Sequence, residues 1–208
     1  MTVVHQYPLR RAYAFSSRVV LLLALATAAG STARAADNGY LGLSLGSARA
    51  DFGSGSPSGG SSQLQARFAG ARQLSELIAL ELGVSFAKGF APPTAVAARY
   101  PGSYIKAVVV DGSALFRVPV TPSTRLFLAA GPAMTSARIE VGNTRGRSTK
   151  IKSHRDFTLR FGAGVDFMRD QTTIRLAFEH LPAVGTDVPG STGRSALDTV
   201  SIGILLRF

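Results

Sequence analysis

The C-terminal segment at 197–208 alternates between two kinds of side chain, and this alternation is the strongest constraint on the fold. Its apolar positions are Val200, Ile202, Ile204, Leu206 and Phe208. The residues between them are small or polar, except Leu205. Because successive side chains of a β-strand point to opposite faces, the segment predicts a strand with one fully apolar face. A free carboxylate directly after that face suits a strand that ends at the water interface of a membrane.

The N-terminal segment has the features of a secretory signal peptide. Arg10, Arg11 and Arg18 precede an apolar run at 19–29, and the small-residue triplet Ala-Arg-Ala follows at 33–35. The apolar run is too short to span a bilayer, which takes about 20 residues. We therefore expect a signal peptide at 1–35, cleaved after its last residue, and a mature domain at 36–208.

Composition excludes several classes of protein. Residues 1–35 contain four arginines and no acidic residue, so the formal charge of +11 falls to +7 after cleavage. The chain has no cysteine, which excludes a disulfide scaffold, a cysteine-anchored lipoprotein and thiolate metal sites. No mature segment is apolar enough for a transmembrane helix, so only strands could embed the protein in a membrane.

The same alternation recurs along the mature chain. Eight segments show it, at 40–49, 63–72, 78–86, 104–120, 125–139, 157–167, 173–179 and 197–208. Several place a charge such as Glu81 or Arg160 between apolar neighbours, which is the pattern of a strand with lipid on one side and a polar lumen on the other. Pro132 is awkward in a paired strand. The sequence therefore predicts an all-β fold, an eight-stranded antiparallel up-and-down transmembrane β-barrel preceded by a cleavable signal peptide.

The connections between the predicted strands alternate in length. Those at 73–76, 121–124 and 169–171 are short, and those at 51–62, 88–103, 140–155 and 182–196 are long. With both termini in the periplasm, the long loops are extracellular. Glycine and serine crowd the first long loop and proline the second, which predicts mobile backbone there.

Four short stretches of the sequence resemble motifs of one family. Phe68-Ala-Gly-Ala-Arg72 followed by Ala79-Leu-Glu-Leu-Gly-Val84 resembles a hairpin of the eight-stranded outer-membrane barrels that include the opacity proteins and the outer-membrane protein A transmembrane domain. Leu176-Ala-Phe-Glu-His180 and the final Leu-Leu-Arg-Phe resemble later motifs of that family. The resemblance implies the outer membrane of a Gram-negative bacterium. Phe208 resembles the signal that such barrels present to the barrel-assembly machinery, which would be a partner.

Nine charged residues are expected to face the lumen. They are Arg67, Glu81, Asp111, Arg117, Arg160, Asp166, Arg175, Glu179 and Arg207. Eight strands leave an interior just wide enough for side chains to fill it. We expect these charges to form ion pairs that seal the barrel, since an unpaired charge there would be costly. The alternative is a narrow ion path, in which case the protein is a small porin or ion channel.

The third long loop is strongly basic. It carries Arg145, Arg147, Lys150, Lys152 and Arg155. Such a loop suits contact with outer-membrane lipid and lipopolysaccharide, whose phosphates lie nearby, or adhesion to anionic host glycans. Nucleic acid would attract the same charges, but the compartment argues against it.

A second alternative is a lipid A-modifying enzyme. The deacylase type has an outward-facing histidine with a serine two residues later. His180 is followed at that spacing by Pro182, and His154 by Asp156. The histidines form no metal-ligand cluster, and we expect neither a metal nor another cofactor. The sequence favours a non-enzymatic outer-membrane β-barrel with a structural or surface-interaction role, adhesion-like, through its extracellular loops.

Overall fold

The structure is a computed structural model that describes residues 39–50, 52, 61–142, 148–184 and 195–208. The predicted signal peptide at 1–35 lies outside these residues. Eight strands and one short helix α1, Thr94–Arg99, form within them. The strands are β1 Gly39–Ala50, β2 Ser61–Gln73, β3 Ile78–Phe90, β4 Ser103–Thr121, β5 Thr124–Gly142, β6 Ser148–Arg169, β7 Thr172–Val184 and β8 Ser195–Arg207. No helix in the described part is long and apolar enough to cross a membrane.

The strands close into a barrel in chain order. Each strand pairs antiparallel with the next, and β8 pairs with β1 so that Ile204 lies opposite Leu43. Phe208 extends this closure, because its backbone N–H donates to the carbonyl oxygen of Gly39 at 3.1 Å. The predicted eight-stranded antiparallel up-and-down barrel is confirmed, with short turns at one end and longer connections at the other.

The two faces of each strand differ as the alternation predicts. Leucine, isoleucine and phenylalanine side chains cover the outside, where Leu82 is 49% exposed. Val84 differs from its expected lipid exposure and is only 7% exposed. It lies opposite Phe68 on one neighbouring strand and Val110 on the other, so the larger Phe68 ring and the adjacent Val110 shield it from lipid.

Pro132 lies inside β5, opposite Leu159 of β6. On the other side, the β4–β5 pairing gives no partner to Gly131 or Pro132, and it resumes at Ala133 opposite Asp111. The missing N–H of proline therefore falls where the β4–β5 ladder is already interrupted. A Cβ on Gly131 would lie 2.0 Å from the carbonyl oxygen of Gly112, so this interruption is also a close approach of two backbones.

Two of the predicted long loops are wrong in extent. β6 has 22 residues, whereas about 9–11 suffice to cross a bilayer. The strands β5 and β6 therefore continue as a hairpin through most of the predicted loop at 140–155, and Lys150 lies opposite Glu140. In the second predicted loop, β3 continues to Phe90 and α1 follows it. Cross-strand pairing beyond the membrane satisfies backbone groups that a loop would leave to water.

Candidate functional site

Seven of the nine predicted lumen charges form one connected network of ion pairs. Glu81 is at its centre and is 2% exposed. Its carboxylate accepts hydrogen bonds from Arg67 Nη2 at 3.0 Å and Arg175 Nη1 at 2.7 Å, and also from the hydroxyl of Tyr40. Arg175 also binds Asp166 through two parallel bonds of 2.7 and 2.9 Å. Such bidentate, charge-assisted bonds fix both partners in one geometry.

The other half of the network includes contacts between strands that are not neighbours. Arg67 on β2 reaches Asp111 on β4, at 2.5 and 2.9 Å. Gly83 of β3 lies between them, and a Cβ there would be 2.2 Å from the Arg67 guanidinium. Arg160 reaches Asp111 at 3.0 Å and Glu179 at 2.5 Å. The glycine therefore provides the space through which a long side chain crosses an intervening strand.

Two predicted lumen charges lie outside this network, at the end of the barrel with short turns. Arg117 is buried and stacks on the Tyr40 ring, with its guanidinium carbon 5.1 Å from the ring centre. Its Nε has no hydrogen-bond partner among the described residues. Arg207 donates to the backbone carbonyl of Asp170. The expected pairing of all nine charges is thus wrong for these two, which lie near a small pocket that Arg125 also lines.

Apolar clusters lie on both sides of the charge network. Toward the long-connection end, fifteen buried residues fill the lumen, among them Ile105, Ile139 and Leu197. Phe52 and Phe90 belong to this cluster and meet edge to face, with ring centres 5.8 Å apart. A smaller cluster includes Leu115 and Phe127 on the opposite side of the network. The interior therefore holds an ionic layer between two apolar clusters.

The five predicted surface cations divide into three groups. Arg145 and Arg147 lie outside the described residues. Lys150 belongs to β6 by its backbone. Lys152 and Arg155 are exposed on the same strand. These last two therefore lie on a paired strand and not on a loop.

His180 has a partner that sequence reasoning missed. It lies opposite Asp198 across β7 and β8, and its Nδ1 is 2.6 Å from Asp198 Oδ1. Both side chains are partly exposed on the outer face of the barrel. The residue opposite His180 on β6 is Phe161. Alternation along β7 and β8 indicates that His180 and Asp198 both lie on the outer face. Only the register of the two strands shows that they lie opposite each other. No cluster of three potential metal ligands occurs among the described residues.

The fold is similar to that of solved outer-membrane barrels. Neisserial surface protein A matches with a TM-score of 0.62 and 14% identity, over 84% of this chain and all of that one. The attachment invasion locus protein Ail of Yersinia pestis matches with a TM-score of 0.55 and 14% identity, over the same shares. Ail in complex with the heparin analogue sucrose octasulfate has a TM-score of 0.51 and 14% identity, over 82% of this chain and 99% of that one.

Sequence comparison gives a family assignment. A search of the curated proteins finds no match to this sequence. The family model described as the outer membrane protein beta-barrel domain matches residues 19–208. This match covers most of the chain and agrees with the closed eight-stranded barrel. The chain therefore belongs to the outer-membrane protein β-barrel family, and it resides in the outer membrane of a Gram-negative bacterium.

Proposed function

We propose that this protein is a non-enzymatic surface barrel that makes contact with anionic partners through its extracellular end. The observation that carries the proposal is the β5–β6 hairpin, which extends well beyond the length that a bilayer requires and exposes Lys152 and Arg155. By the topology of outer-membrane barrels, the end with long connections faces the outside of the cell. Arg145 and Arg147 lie between β5 and β6 in the sequence.

The packed lumen supports this role over that of a channel. Ions would have to cross a layer that includes Phe52 and Phe90, both of which are fully buried. Below that layer, Glu81 and Asp111 are already occupied by arginines. Moving a hydrated ion past apolar side chains is costly because they cannot replace its water.

The surroundings of His180 support a non-enzymatic role. Its neighbours in register are Phe161 and Asp198, and neither carries a hydroxyl group. A histidine beside a carboxylate could act as a base, but nucleophilic catalysis also needs a serine or threonine within hydrogen-bond reach. Within the described residues, the register therefore places beside the His180–Asp198 pair no hydroxyl group of the kind that a lipid A deacylase would use.

The partners suggested by the charge are lipopolysaccharide and sulfated or otherwise anionic host glycans. Ail, whose fold is similar, has been solved with a heparin analogue. We use that chemistry as a probe for this chain. The variant changes Arg145 and Arg147 to serine, and Lys150, Lys152 and Arg155 to threonine, which keeps the propensity for strand in β6. Binding of the barrel in nanodiscs to immobilised heparin should fall by about tenfold or more, since exposed charge contacts each contribute modestly.

Salt and a second variant test the origin of that binding. Wild-type binding should weaken as salt is added, because charges are screened beyond about 8 Å at physiological ionic strength. Changing the exposed Arg72 and Arg169 to serine removes cations from the periplasmic end and should leave binding unchanged. If the five-residue variant folds and binds heparin at low salt as tightly as wild type, the hairpin is not the contact surface.

Phe208 is expected to act in assembly more than in stability. Its side chain is 59% exposed and contributes little to the packed interior. A chain that ends at Arg207 should accumulate in the periplasm, although it folds in lipid vesicles to nearly the wild-type extent. Phe208→Tyr keeps the terminal aromatic ring and should reach the outer membrane. Normal insertion of the truncated chain, judged by cell fractionation and heat-modifiable migration on gels, would show that Phe208 is not the signal.

A further inference from the structure

Three cations form a row on the outside of the barrel. Lys88 on β3 lies directly opposite Lys106 on β4, and Lys106 lies opposite Arg138 on β5. Side chains directly opposite on one face of a sheet have Cβ atoms about 4.5–5.5 Å apart, and like charges at this spacing destabilise the pair. We call Lys88, Lys106 and Arg138 the basic row.

The basic row has no counterion within the described part of the chain. None of its three members forms an ion pair there. The nearby carboxylate of Glu140 accepts a hydrogen bond from the Tyr104 hydroxyl at 2.9 Å. The ammonium group of Lys88 lies 4.9 Å from the centre of the Tyr104 ring. The Nε of Arg138 has no hydrogen-bond acceptor among the described residues.

The position of the basic row along the barrel axis shows which region of the bilayer surrounds it. On the periplasmic side, the next outward positions are Phe86, Val108 and Ser136, with Arg155 opposite Ser136 on β6, and the fully apolar row after that is Val84, Val110, Met134 and Phe157. Apolar outward residues mark the hydrocarbon region of the bilayer, so the basic row lies where the outer lipid headgroups begin. Across the barrel, the outward residues His180 and Asp198 pair with each other.

We propose that the basic row binds the phosphate groups of lipopolysaccharide in the outer leaflet. A phosphate between two cations converts their repulsion into two attractions. Arg138 can donate two parallel hydrogen bonds to phosphate oxygens, and the lysines act as point charges beside it. The apolar residues directly below would contact the acyl chains of the same lipid molecule. Tyr104, above the row, has the amphipathic ring typical of the interface.

This inference goes beyond the proposed surface contact and does not depend on it. The proposed surface contact lies on the β5–β6 hairpin and is tested with a glycan probe, whereas the basic row faces lipid and is tested with lipid A. The two can therefore fail separately in experiments. A variant of the basic row tests lipid binding. Arg155 lies opposite Ser136, in the row directly below the basic row, so a hairpin variant that changes only Arg145, Arg147, Lys150 and Lys152 tests glycan binding separately.

The first experiment compares how one substitution shifts the urea midpoint of unfolding in two membranes, where the shifts are expected to have opposite directions. In phosphatidylcholine vesicles, Lys106→Gln should raise the urea midpoint of unfolding, because it relieves repulsion between three cations. In vesicles that also contain lipid A with both phosphates, the same substitution should lower the midpoint, because it removes a phosphate contact. Ser62→Gln, an exposed position on the outer face of β2, should give no such reversal. An effect of the same sign in both membranes overturns the proposal.

The second experiment measures binding directly. Folded protein in detergent is titrated with lipid A, and bound lipid is counted by native mass spectrometry. Changing Lys88, Lys106 and Arg138 to glutamine should weaken binding by about tenfold to a hundredfold, as loss of three exposed charge contacts implies. The control removes three cations from the hairpin, at Arg145, Arg147 and Lys150. It should bind as wild type does.

Two further titrations separate the possible sources of phosphate. Dephosphorylated lipid A should bind wild type and the basic-row variant equally weakly. Inorganic phosphate should displace lipid A only at much higher concentration, because it lacks acyl chains. If the triple variant does not fold, the Lys88→Gln and Lys106→Gln double variant replaces it. Equal affinity of folded variant and wild type for phosphorylated lipid A, or competition by phosphate at matching concentration, overturns the proposal.

Discussion

Replacing Glu81 with alanine is expected to destabilise the barrel by about 3–5 kcal/mol, the usual cost of removing one partner from a buried ion pair. Glu81 accepts hydrogen bonds from Arg67, Arg175 and Tyr40, so its loss leaves two guanidinium groups short of negative charge. Both arginines are buried, so water solvates them poorly. The free energy of unfolding, measured by urea titration in lipid vesicles, checks the prediction.

Two controls distinguish the ionic network from a general loss of packing. Glu76 lies exposed in the β2–β3 turn, and Glu76→Ala should change stability by less than about 0.5 kcal/mol. Glu81→Gln keeps the shape of the side chain and should cost less than Glu81→Ala. Wild type should show no well-resolved ion-selective current in planar bilayers. A current of that kind that changes in Glu81→Gln would favour the channel alternative instead.

The second large effect is expected on the lipid-facing side. Leu82→Arg should cost about 2–4 kcal/mol, as for a cation near the middle of a bilayer. The residues opposite Leu82 are Gly70 and Gly112, so no carboxylate or hydroxyl is available beside the new guanidinium. Denaturant titration in vesicles and the folded fraction in the outer membrane both report this loss.

The matched control introduces the same charge at a different depth in the membrane. Ser62→Arg places the same charge on the outer face near the extracellular edge, where the cost is about 0–1 kcal/mol. Comparable losses at positions 62 and 82 would contradict the assignment of Leu82 to the hydrocarbon region. A loss at Leu82 alone supports that assignment.

Much of the barrel could be predicted from local sequence alone. The period of two assigned Leu82 to lipid and Glu81 to the interior, because a strand alternates its faces whatever its neighbours are. The number of strands and the positions of the short turns also followed. Strand ends were less predictable. The hairpin at 140–155 looks like a polar loop, since the pairing of Lys150 with Glu140 depends on a partner strand.

For the candidate sites, too, the sequence predicted some features and only the structure showed the others. Parity indicated that Arg67, Asp111 and Arg160 face the lumen, but it could not show that both arginines would meet at one aspartate. Nor could it show that Lys88 and Lys106 lie directly opposite each other. Such pairings depend on register and on barrel closure, which bring together residues from different strands.

The sequence by itself determined the class of fold, which face of each strand contacts lipid and which faces the lumen, and the compartment. These follow from alternation, composition and a family match. Only the tertiary structure decided which charges meet. Glu81 and Arg175 are 94 residues apart, and their contact exists because eight strands close at one particular register. A shift of one residue would exchange the faces of a whole strand. The ionic network is therefore a product of closure and not of local sequence.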